Sequence, residues 1–364
     1  MAVQVLVLKE QAAGERRVAA TPETVKKLVA LGAGVWIEPG AGRASSMDDD
    51  AYLQAGAQPA GDAVAQAEMV LCVQAPSTDT LLRCKPHAVV IGMLAPDADP
   101  ARAQAFAARQ LIAFPLERLP RTTRAQSMDV LSSQAGMAGY KAMLIAAQLA
   151  PRFFPMLTTA AGTMRPCKVL VIGAGVAGLQ AIATAKRLGA QVEGFDVRPE
   201  TREQIASLGA RFLDLGVSAA GEGGYARQLS DDERAEQQRR LAEHLTGVDV
   251  VVCTAAVPGR PAPKIVTTEM ARGMRAGSVI VDLAAETGGN CAATRPGETY
   301  DLDGVVIAGP LNLASQGAVH ASEMFARNVY AFVALLIQDG ALTLDWADEL
   351  LAKTRWSAPA ATTA

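Results

Sequence analysis

Between residues 168 and 198 an apolar strand pattern, a glycine-rich turn and a helix pattern follow directly on one another. Gly173, Gly175 and Gly178 have the spacing G-x-G-x-x-G at the point where the strand becomes the helix. The first glycine permits the turn, the second lets a pyrophosphate approach the backbone, and the third lets helix and strand pack closely. The phosphate charge then meets the free N–H groups of the helix N-terminus. This arrangement favours a dinucleotide-binding α/β domain over a glycine-rich turn without a ligand.

An acidic residue ends the next predicted strand, where Asp196 can accept hydrogen bonds from an adenosine ribose. A carboxylate at this position repels a 2′-phosphate, so we expect NAD(H) to bind rather than NADP(H). Arg198 can in principle pair with a 2′-phosphate, but beside Asp196 we interpret it as a stacking or surface residue. The segment contributes these predicted cofactor contacts: Gly173, Gly175, Val176, Ala177, Gly178, Asp196, Val197 and Arg198.

Two later strand patterns end in small and polar residues, at 254–258 and at 282–290. Ligands of open α/β sheets bind at the carboxyl ends of the strands. We therefore expect Thr254 and Ala255 to contact the cofactor and the stretch 282–290 to form a wall of the same site. Ordinary strand-end turns are the alternative interpretation.

Strand patterns alternate with helix patterns in both halves of the chain. VQVLVL, AGVWIEP, EMVLCVQ, AVVIGML and LIAFPL are the strands of the first half, and the alternation restarts near residue 165 with six more. The pattern predicts an α/β fold with two Rossmann-like, doubly wound domains and mainly parallel sheets. We place an N-terminal domain without nucleotide at 1–126 plus about 315–364, because the helix pattern HASEMFARNVYAFVALLIQDG returns to it. The nucleotide-binding domain is placed at 127–314, with a linking helix at about 127–150.

Composition excludes several classes of protein. The net charge of −3 gives no reason to expect nucleic acid, and no apolar run reaches the length of a membrane span. Five scattered cysteines fit a reducing compartment, so we expect a cytoplasmic protein. His87, His244 and His320 lie far apart and form no recognisable metal motif.

The junction before the linking helix reads RTTRAQSMDVLSSQAG at 121–136, and it is unusually polar for a connection between two domains. Its charged and amide side chains can serve the site, or they can be structural. Ser127 can cap the following helix, Asp129 can favour its positive N-terminal end, and Arg124 can be a solvated side chain.

Several segments together resemble the soluble NAD(H)-binding alpha subunit of proton-translocating NAD(P) transhydrogenases, within the alanine dehydrogenase/transhydrogenase family. The resemblance covers about residues 1–340 and implies two Rossmann-like domains, NAD(H) bound in the second, and a cleft between them. It also implies a homodimer in which a hairpin at 156–163 reaches the other subunit. The segments that carry it are KE..AGERRVAATPETVKKL, G.GVWIEPGAGRASSMDDDAYLQAGA, RAQSMDVLSSQAGMAGYKA, MLTTAAGT, the glycine loop, GGYA and IVDLAAETGGN.

The same resemblance assigns roles in the junction. The loop matched by Arg121, Gln126 and Asp129 approaches the nicotinamide end of the cofactor, Gln126 contacts the nicotinamide side, and Ser132 lies close behind. Tyr225, in the segment GGYARQLSDDERAEQQRR, matches a mobile loop that closes over bound nucleotide. A solvated helix preceded by a turn is the alternative for that segment.

The resemblance leaves an amino-acid dehydrogenase and a non-catalytic NAD-sensing module as alternatives. Alanine dehydrogenases need a proton-transfer group beside the nicotinamide, and the family places a Lys and a His on two strands of the first domain. Here those strands carry Cys72, Val73 and Gln74, and then Gly92 to Ala95. Direct hydride transfer between two nicotinamides needs no such group. We therefore favour a transhydrogenase subunit, in which NADP(H) is bound by a partner.

The expected partners are an NADP(H)-binding beta subunit and a membrane-spanning subunit, which would hold this chain at the inner membrane on the cytoplasmic side. The chain departs from the family pattern at Ala314, Ser315 and Gln316, where Pro-Ser-Arg is usual. Its end after LTLD is also diverged, with WADELLAKTRW in place of the expected final hairpin.

Overall fold

The chain forms two compact units. Unit 1 comprises Met1–Gln134 and Ser315–Ala364, and unit 2 comprises Ala135–Ala314. Both are α/β units with mainly parallel sheets, which confirms the predicted fold class. The junction loop that contains Gln126 belongs to unit 1, which extends beyond the boundary at 126 expected from the sequence. The computed structural model describes residues 2–216, 230–256 and 259–357.

Unit 1 is built from short strands that alternate with helices along the chain. Its elements are β1 (Gln4–Val7), α1 (Pro22–Ala30), β2 (Gly34–Ile37), α2 (Asp49–Gln54), β3 (Gln58–Pro59), β4 (Met69–Gln74), α3 (Thr78–Arg83), β5 (Val89–Met93), α4 (Pro100–Ala108) and β6 (Ile112–Pro115).

Strands β1 to β6 form one parallel sheet in the order β3-β2-β1-β4-β5-β6. Alternate residues of β1 reach two separate cores. Val5 and Val7 pack on one face with Phe325, and Leu6 packs on the other with Trp356. Burial on both faces explains why these strands are continuous apolar runs.

Unit 2 begins within a long helix and contains a second sheet. Its elements are α5 (Val130–Leu149, from residue 135 onward), β7 (Leu157–Thr159), β8 (Gly162–Met164), β9 (Lys168–Ile172), α6 (Val176–Arg187), β10 (Gln191–Phe195), α7 (Thr201–Ser207), β11 (Arg211–Phe212), α8 (Asp231–Leu245), β12 (Val250–Cys253), α9 (Thr268–Arg272), β13 (Val279–Asp282), β14 (Thr299–Leu302) and β15 (Val305–Ala308).

The main sheet of unit 2 has the order β11-β10-β9-β12-β13-β15-β14. The strand order reverses direction between β9 and β12, so the ends of these two strands define the crevice where nucleotides bind in such sheets. Strand β14 pairs antiparallel with β15 and was not predicted. Its residues are exposed or half-buried, so it has no apolar run to reveal it. β7 and β8 form a separate two-stranded hairpin.

The last part of the chain belongs to unit 1 and differs from the expectation in two ways. The helix predicted over 320–340 is α10 (Ala318–Val333), and it is followed by a small hairpin of β16 (Ile337–Gln338) and β17 (Ala341–Leu342). The diverged end forms α11 (Glu349–Thr354). Within the described residues, no helix is both long and apolar enough to span a membrane.

Candidate functional site

The glycine turn after β9 has the backbone geometry that a phosphate cradle requires. Gly173 has a φ of +96°, and a Cβ there would lie 2.8 Å from the hydroxyl of Thr254 and 2.9 Å from the amide nitrogen of Ala255. A Cβ on Gly178 would overlap the carbonyl oxygen of Gly173. A Cβ on Gly175 would meet nothing within 4 Å. Close packing therefore requires glycine at 173 and 178, whereas Gly175 leaves open space above the turn.

Helix α6 starts immediately after this open space. Its N-cap is Gly175, which provides no side-chain hydrogen bond to the first turn. The helix has 12 residues, so its N-terminal N–H groups and dipole favour an anion at this end. Val176 at its first position is 46 % exposed, and the first turn is therefore accessible to a ligand. These residues fit the pyrophosphate of a dinucleotide.

Asp196 follows β10 and is buried to 8 % exposure. Its Oδ2 accepts a hydrogen bond of 2.7 Å from the backbone N–H of Ala174 in the glycine turn. Burial acts to raise the pKa of Asp196, but the hydrogen bonds from Arg198 and from Ala174 N–H outweigh it and lower the pKa. The carboxylate is therefore charged at neutral pH and is fixed to the cradle.

Arg198, interpreted from the sequence as a stacking or surface residue, is half-buried and forms an ion pair with Asp196. Its Nε lies 2.9 Å from Oδ1 of Asp196, and its Nη2 lies 2.8 Å from Oδ2. The backbone N–H of Arg198 also donates to Oδ1, at 2.9 Å. The turn after β10 brings the guanidinium of Arg198 onto the carboxylate of Asp196, two residues earlier in the chain. No periodicity in the sequence reports this turn.

Thr254 and Ala255, at the end of β12, lie beside the glycine turn as expected. The Thr254 hydroxyl donates to the carbonyl oxygen of Gly173 at 2.8 Å. The buried Asn290 side chain fixes the backbone of Ala255 on both sides, accepting from its N–H at 2.9 Å and donating to its C=O at 2.7 Å. Asn290 thus shapes the edge of the crevice through Ala255, and the predicted wall at 282–290 has a defined structural role.

In unit 1 the junction loop forms a 3-10 turn over Thr123–Met128, and α5 begins at Val130 rather than near 127. Asp129 accepts hydrogen bonds from the backbone N–H of Ser132 at 2.9 Å and from the Ser132 hydroxyl at 2.6 Å. Asp129, rather than Ser127, therefore caps the first turn of α5. Two of the predicted site residues are held together in this cap.

The remaining polar side chains of the loop are exposed, and they differ in their partners. Arg124 is exposed, as expected of a solvated side chain, and its guanidinium also pairs with the Asp348 carboxylate through bonds of 2.9 and 2.5 Å. Asp348 also caps α11 through the N–H of Leu350, so the diverged end of the chain is tied to the loop. Arg121 and Gln126 are exposed, which leaves Gln126 accessible to a ligand.

The carboxyl end of β4 in unit 1 contacts a partly buried polar cluster that the sequence did not reveal. Glu10 accepts bonds from the backbone N–H groups of Val73 at 2.6 Å and of Gln74 at 3.1 Å. Glu15 binds the buried Arg17 at 2.6 Å and accepts from the Gln74 amide at 3.1 Å. On the two strands where a dehydrogenase was expected to carry Lys and His, the chain has Cys72 to Gln74 and Gly92 to Ala95. Gln74 contacts both carboxylates.

The two carboxylates of this cluster differ in protonation. Burial, together with the nearby Glu15 charge, raises the pKa of Glu10 to about 7, although its two N–H bonds act to lower it. Burial also acts on Glu15, but the hydrogen bonds and charge of Arg17 outweigh it and lower the pKa to about 2. The Glu10 carboxyl group accepts hydrogen bonds from the backbone N–H groups of Val73 and Gln74 at the end of β4. Its main role is therefore to satisfy these N–H groups.

The other predicted residues lie apart from these contacts. Tyr225 falls outside the described residues, as do Val257 and Pro258. Val197 is half-buried between Asp196 and Arg198. Among the described residues, no group of His, Cys, Asp and Glu side chains is arranged to hold a metal ion.

The glycine turn, the buried carboxylate after the next strand and the reversal of strand order define a dinucleotide-fold α/β protein. Comparison with known proteins makes the assignment specific, because residues 6–138 match the N-terminal domain and residues 142–359 match the C-terminal domain of alanine dehydrogenase/PNT. The chain therefore belongs to the alanine dehydrogenase/PNT family.

Relatives within that family differ in how similar they are to this chain. It is 44 % identical over 343 residues to the NAD(P) transhydrogenase alpha-subunit protein of Rhodospirillum rubrum, covering 91 % of this chain and 89 % of that protein. The crystal structure of transhydrogenase from Sinorhizobium meliloti matches with a TM-score of 0.89 and 44 % identity, over 97 % of this chain and 98 % of that one. An L-alanine dehydrogenase structure matches with a TM-score of 0.76 and 25 % identity, over 97 % and 100 %.

Proposed function

We propose that this chain is the NAD(H)-binding subunit of a proton-translocating NAD(P) transhydrogenase. NADP(H) would be held on a partner beta subunit, and a membrane-spanning partner would couple hydride transfer to proton translocation. The chain would then lie on the cytoplasmic face of the inner membrane through its partners. The observation that carries the proposal is the cradle of unit 2, in which the open position at Gly175 lies beside the uncapped start of α6 and Asp196 is tied to the same turn.

Different residues of unit 2 would bind different parts of the cofactor. The N–H groups at the start of α6 would bind the pyrophosphate, and the Asp196 carboxylate would accept the ribose hydroxyls. Thr254 and Ala255 would line the crevice, with Ala255 kept in place by Asn290. Bound NADH would supply the hydride. Discrimination against NADPH follows from the charge on Asp196, because a 2′-phosphate would meet a buried carboxylate.

We further propose that Gln126 positions the nicotinamide end of the cofactor and that Arg121 and Asp129 hold the loop. The support is the match of this loop to the transhydrogenases, together with the cap formed by Asp129 and Ser132 and the exposure of Gln126. Such a loop acts by orienting a ring, and orientation accounts for a large part of rate acceleration when two reactants are held together. Hydride transfer between two nicotinamides then needs no proton-transfer side chain.

The runner-up function, an amino-acid dehydrogenase, requires such a side chain. The strand ends of unit 1 offer Gln74, Gly92 and the buried Cys72, and burial raises the pKa of the Cys72 thiol well above its usual range. Glu10 is titratable near pH 7, but it is bound to two backbone N–H groups. These observations favour transhydrogenation over deamination.

One experiment separates the two functions. The purified chain is assayed with NAD and L-alanine, and in parallel with NADH and an isolated NADP(H)-binding transhydrogenase domain loaded with NADP. We expect hydride transfer only in the second mixture. Alanine-dependent formation of NADH would instead support the dehydrogenase.

The hairpin of β7 and β8 supports the proposal of a homodimer. All its strand residues are exposed, and it carries the apolar side chains of Leu157 at 37 % and Met164 at 47 % exposure. Phe153 and Met156, just before it, are 59 % and 66 % exposed. A clustered apolar surface of this kind fits an arm that packs on a second copy of the chain.

Light scattering tests the role of the arm. The double substitution Met156→Asp and Met164→Asp should convert a dimer to a monomer. Leu82→Asp is the control, because Leu82 in α3 is 44 % exposed and lies away from the arm in the sequence. A dimer that survives the double substitution would exclude the arm as its main contact.

A further inference from the structure

The carboxylate of Asp196 has no hydrogen-bonding position left for a ribose. An ionised carboxylate accepts about four hydrogen bonds in its plane, two on each oxygen. Oδ2 accepts from Ala174 N–H and from Arg198 Nη2, and Oδ1 accepts from the backbone N–H and the Nε of Arg198. A ribose that binds here through two hydroxyl groups must therefore displace two of these donors.

Only the guanidinium can be displaced without changing the fold. The N–H of Ala174 belongs to the glycine turn, and the N–H of Arg198 belongs to the turn after β10. The Arg198 side chain is 19 % exposed and has several rotatable bonds, so it can leave the carboxylate. Once displaced it would remain tethered beside the ribose.

We propose, on the basis of the NAD(H)-binding function above, that Arg198 determines nucleotide specificity by competing with the ribose for Asp196. In the nucleotide-free protein its guanidinium would occupy the ribose position, and NAD(H) would have to displace it. A guanidinium held at this point is also a bidentate ligand for phosphate. The Arg198 guanidinium would bind the 2′-phosphate of NADP(H) if its charge were not neutralised by Asp196.

Four proteins test the proposal: the wild type, Arg198→Gln, Asp196→Ser and the double variant. Affinities for NADH, NADPH, AMP and 2′,5′-ADP are measured by calorimetry, since the last two ligands report on the adenosine half alone. Arg198→Gln should bind NADH and AMP more tightly than the wild type, by up to about tenfold, because a competitor has been removed. Asp196→Ser should gain at least about tenfold for NADPH and 2′,5′-ADP, and the double variant should lose that gain.

Arg202→Gln is the matched control. Arg202 is an exposed arginine of α7 that pairs with the exposed Asp214 at 2.7 Å, so its substitution removes the same charge from the same unit without removing the partner of Asp196. It should leave all four affinities within about twofold of the wild type.

Three outcomes would overturn the proposal. Unchanged NADH affinity in Arg198→Gln would mean that Arg198 does not compete with the ribose. NADH binding that is weaker by more than about threefold in this variant would make Arg198 a direct cofactor ligand. A gain for NADPH in Asp196→Ser that persists in the double variant would mean that loss of the carboxylate alone sets specificity. If circular dichroism shows that Asp196→Ser does not fold, the NADH and AMP affinities of Arg198→Gln still test whether Arg198 competes with the ribose. A wild-type protein that binds no NADH would contradict the proposed function itself, independently of Arg198.

Discussion

At the scale of single residues, the structure shows carboxyl groups whose pKa values are shifted by burial and by their hydrogen-bond partners. Asp196 and Arg198 satisfy each other in unit 2, and Glu10 and Glu15 share the buried strand ends of unit 1. The sequence identified Asp196, because its position after a strand and a glycine motif is a local pattern. It did not identify Glu10 as buried or Arg198 as paired, because both depend on contacts made by turns and neighbouring strands.

The shifted pKa of Glu10 gives a prediction for stability. Glu10 binds its proton more tightly in the folded state, with a pKa of about 7 against an ordinary 4.5, so the free energy of unfolding should fall as pH rises from about 4.5 to about 7. The contribution is at most about 3 kcal/mol. Urea titrations should show that Glu10→Gln flattens this slope.

Glu15→Gln is the contrasting variant. The folded-state pKa of Glu15 is about 2, so its contribution to stability is present above pH 4.5 and is lost as pH falls towards 2. The variant should therefore change the acid side of the profile. An unchanged slope between pH 4.5 and 7 in Glu10→Gln would contradict the assignment.

At the scale of elements, the site depends on how two helices begin. Helix α6 starts at a bare glycine and keeps its first N–H groups available, whereas α5 starts at Asp129, which is bound to Ser132. The glycine motif allowed the start of α6 to be predicted from the sequence. The second was displaced by three residues, because the 3-10 turn at 123–128 continues the loop where periodicity suggested helix.

The glycine turn predicts opposite effects for two alanine substitutions. Gly175→Ala should fold normally, because its Cβ meets nothing within 4 Å, but it should weaken NADH binding by at least about tenfold by filling the phosphate space. Gly178→Ala should lower the melting temperature, because its Cβ overlaps the Gly173 carbonyl. Calorimetry and thermal denaturation separate the two effects, and normal NADH affinity in Gly175→Ala would place the phosphate elsewhere.

The cap of α5 separates a structural from a chemical role of Asp129. Asp129→Ala should lower the free energy of unfolding by about 1 kcal/mol, because the cap of the Ser132 N–H is lost. Asp129→Asn keeps a capping oxygen and should be nearly as stable as the wild type. If Asp129→Asn is stable but transfers hydride slowly, the charge itself serves the loop. Equal rates for Asn and Asp would show that the residue acts as a cap only.

At the scale of the whole molecule, alternation of strands and helices predicted two α/β units, because strands buried on both faces must be apolar throughout. Elements outside that rule were missed: β3 has two residues, and β14 alternates exposed and half-buried positions. The diverged end was expected only as a departure from the family. Its attachment through Arg124 and Asp348 depends on residues more than 200 positions apart, which no local pattern encodes.

The measurement that tests the central proposal most directly is single-turnover hydride transfer from NADH on this chain to NADP on an isolated NADP(H)-binding domain, for the wild type and for Gln126→Asn. We expect rapid transfer by the wild type. Gln126→Asn shortens the side chain by one methylene and should reduce the rate by about tenfold or more, because a misplacement of about 1 Å can cost about 100-fold. Its NADH affinity should stay within about threefold of the wild type, since in the proposed function unit 2 would provide most of the binding. No transfer by the wild type, despite NADH binding, would contradict the proposed function, and unchanged transfer by Gln126→Asn would contradict the role of the loop.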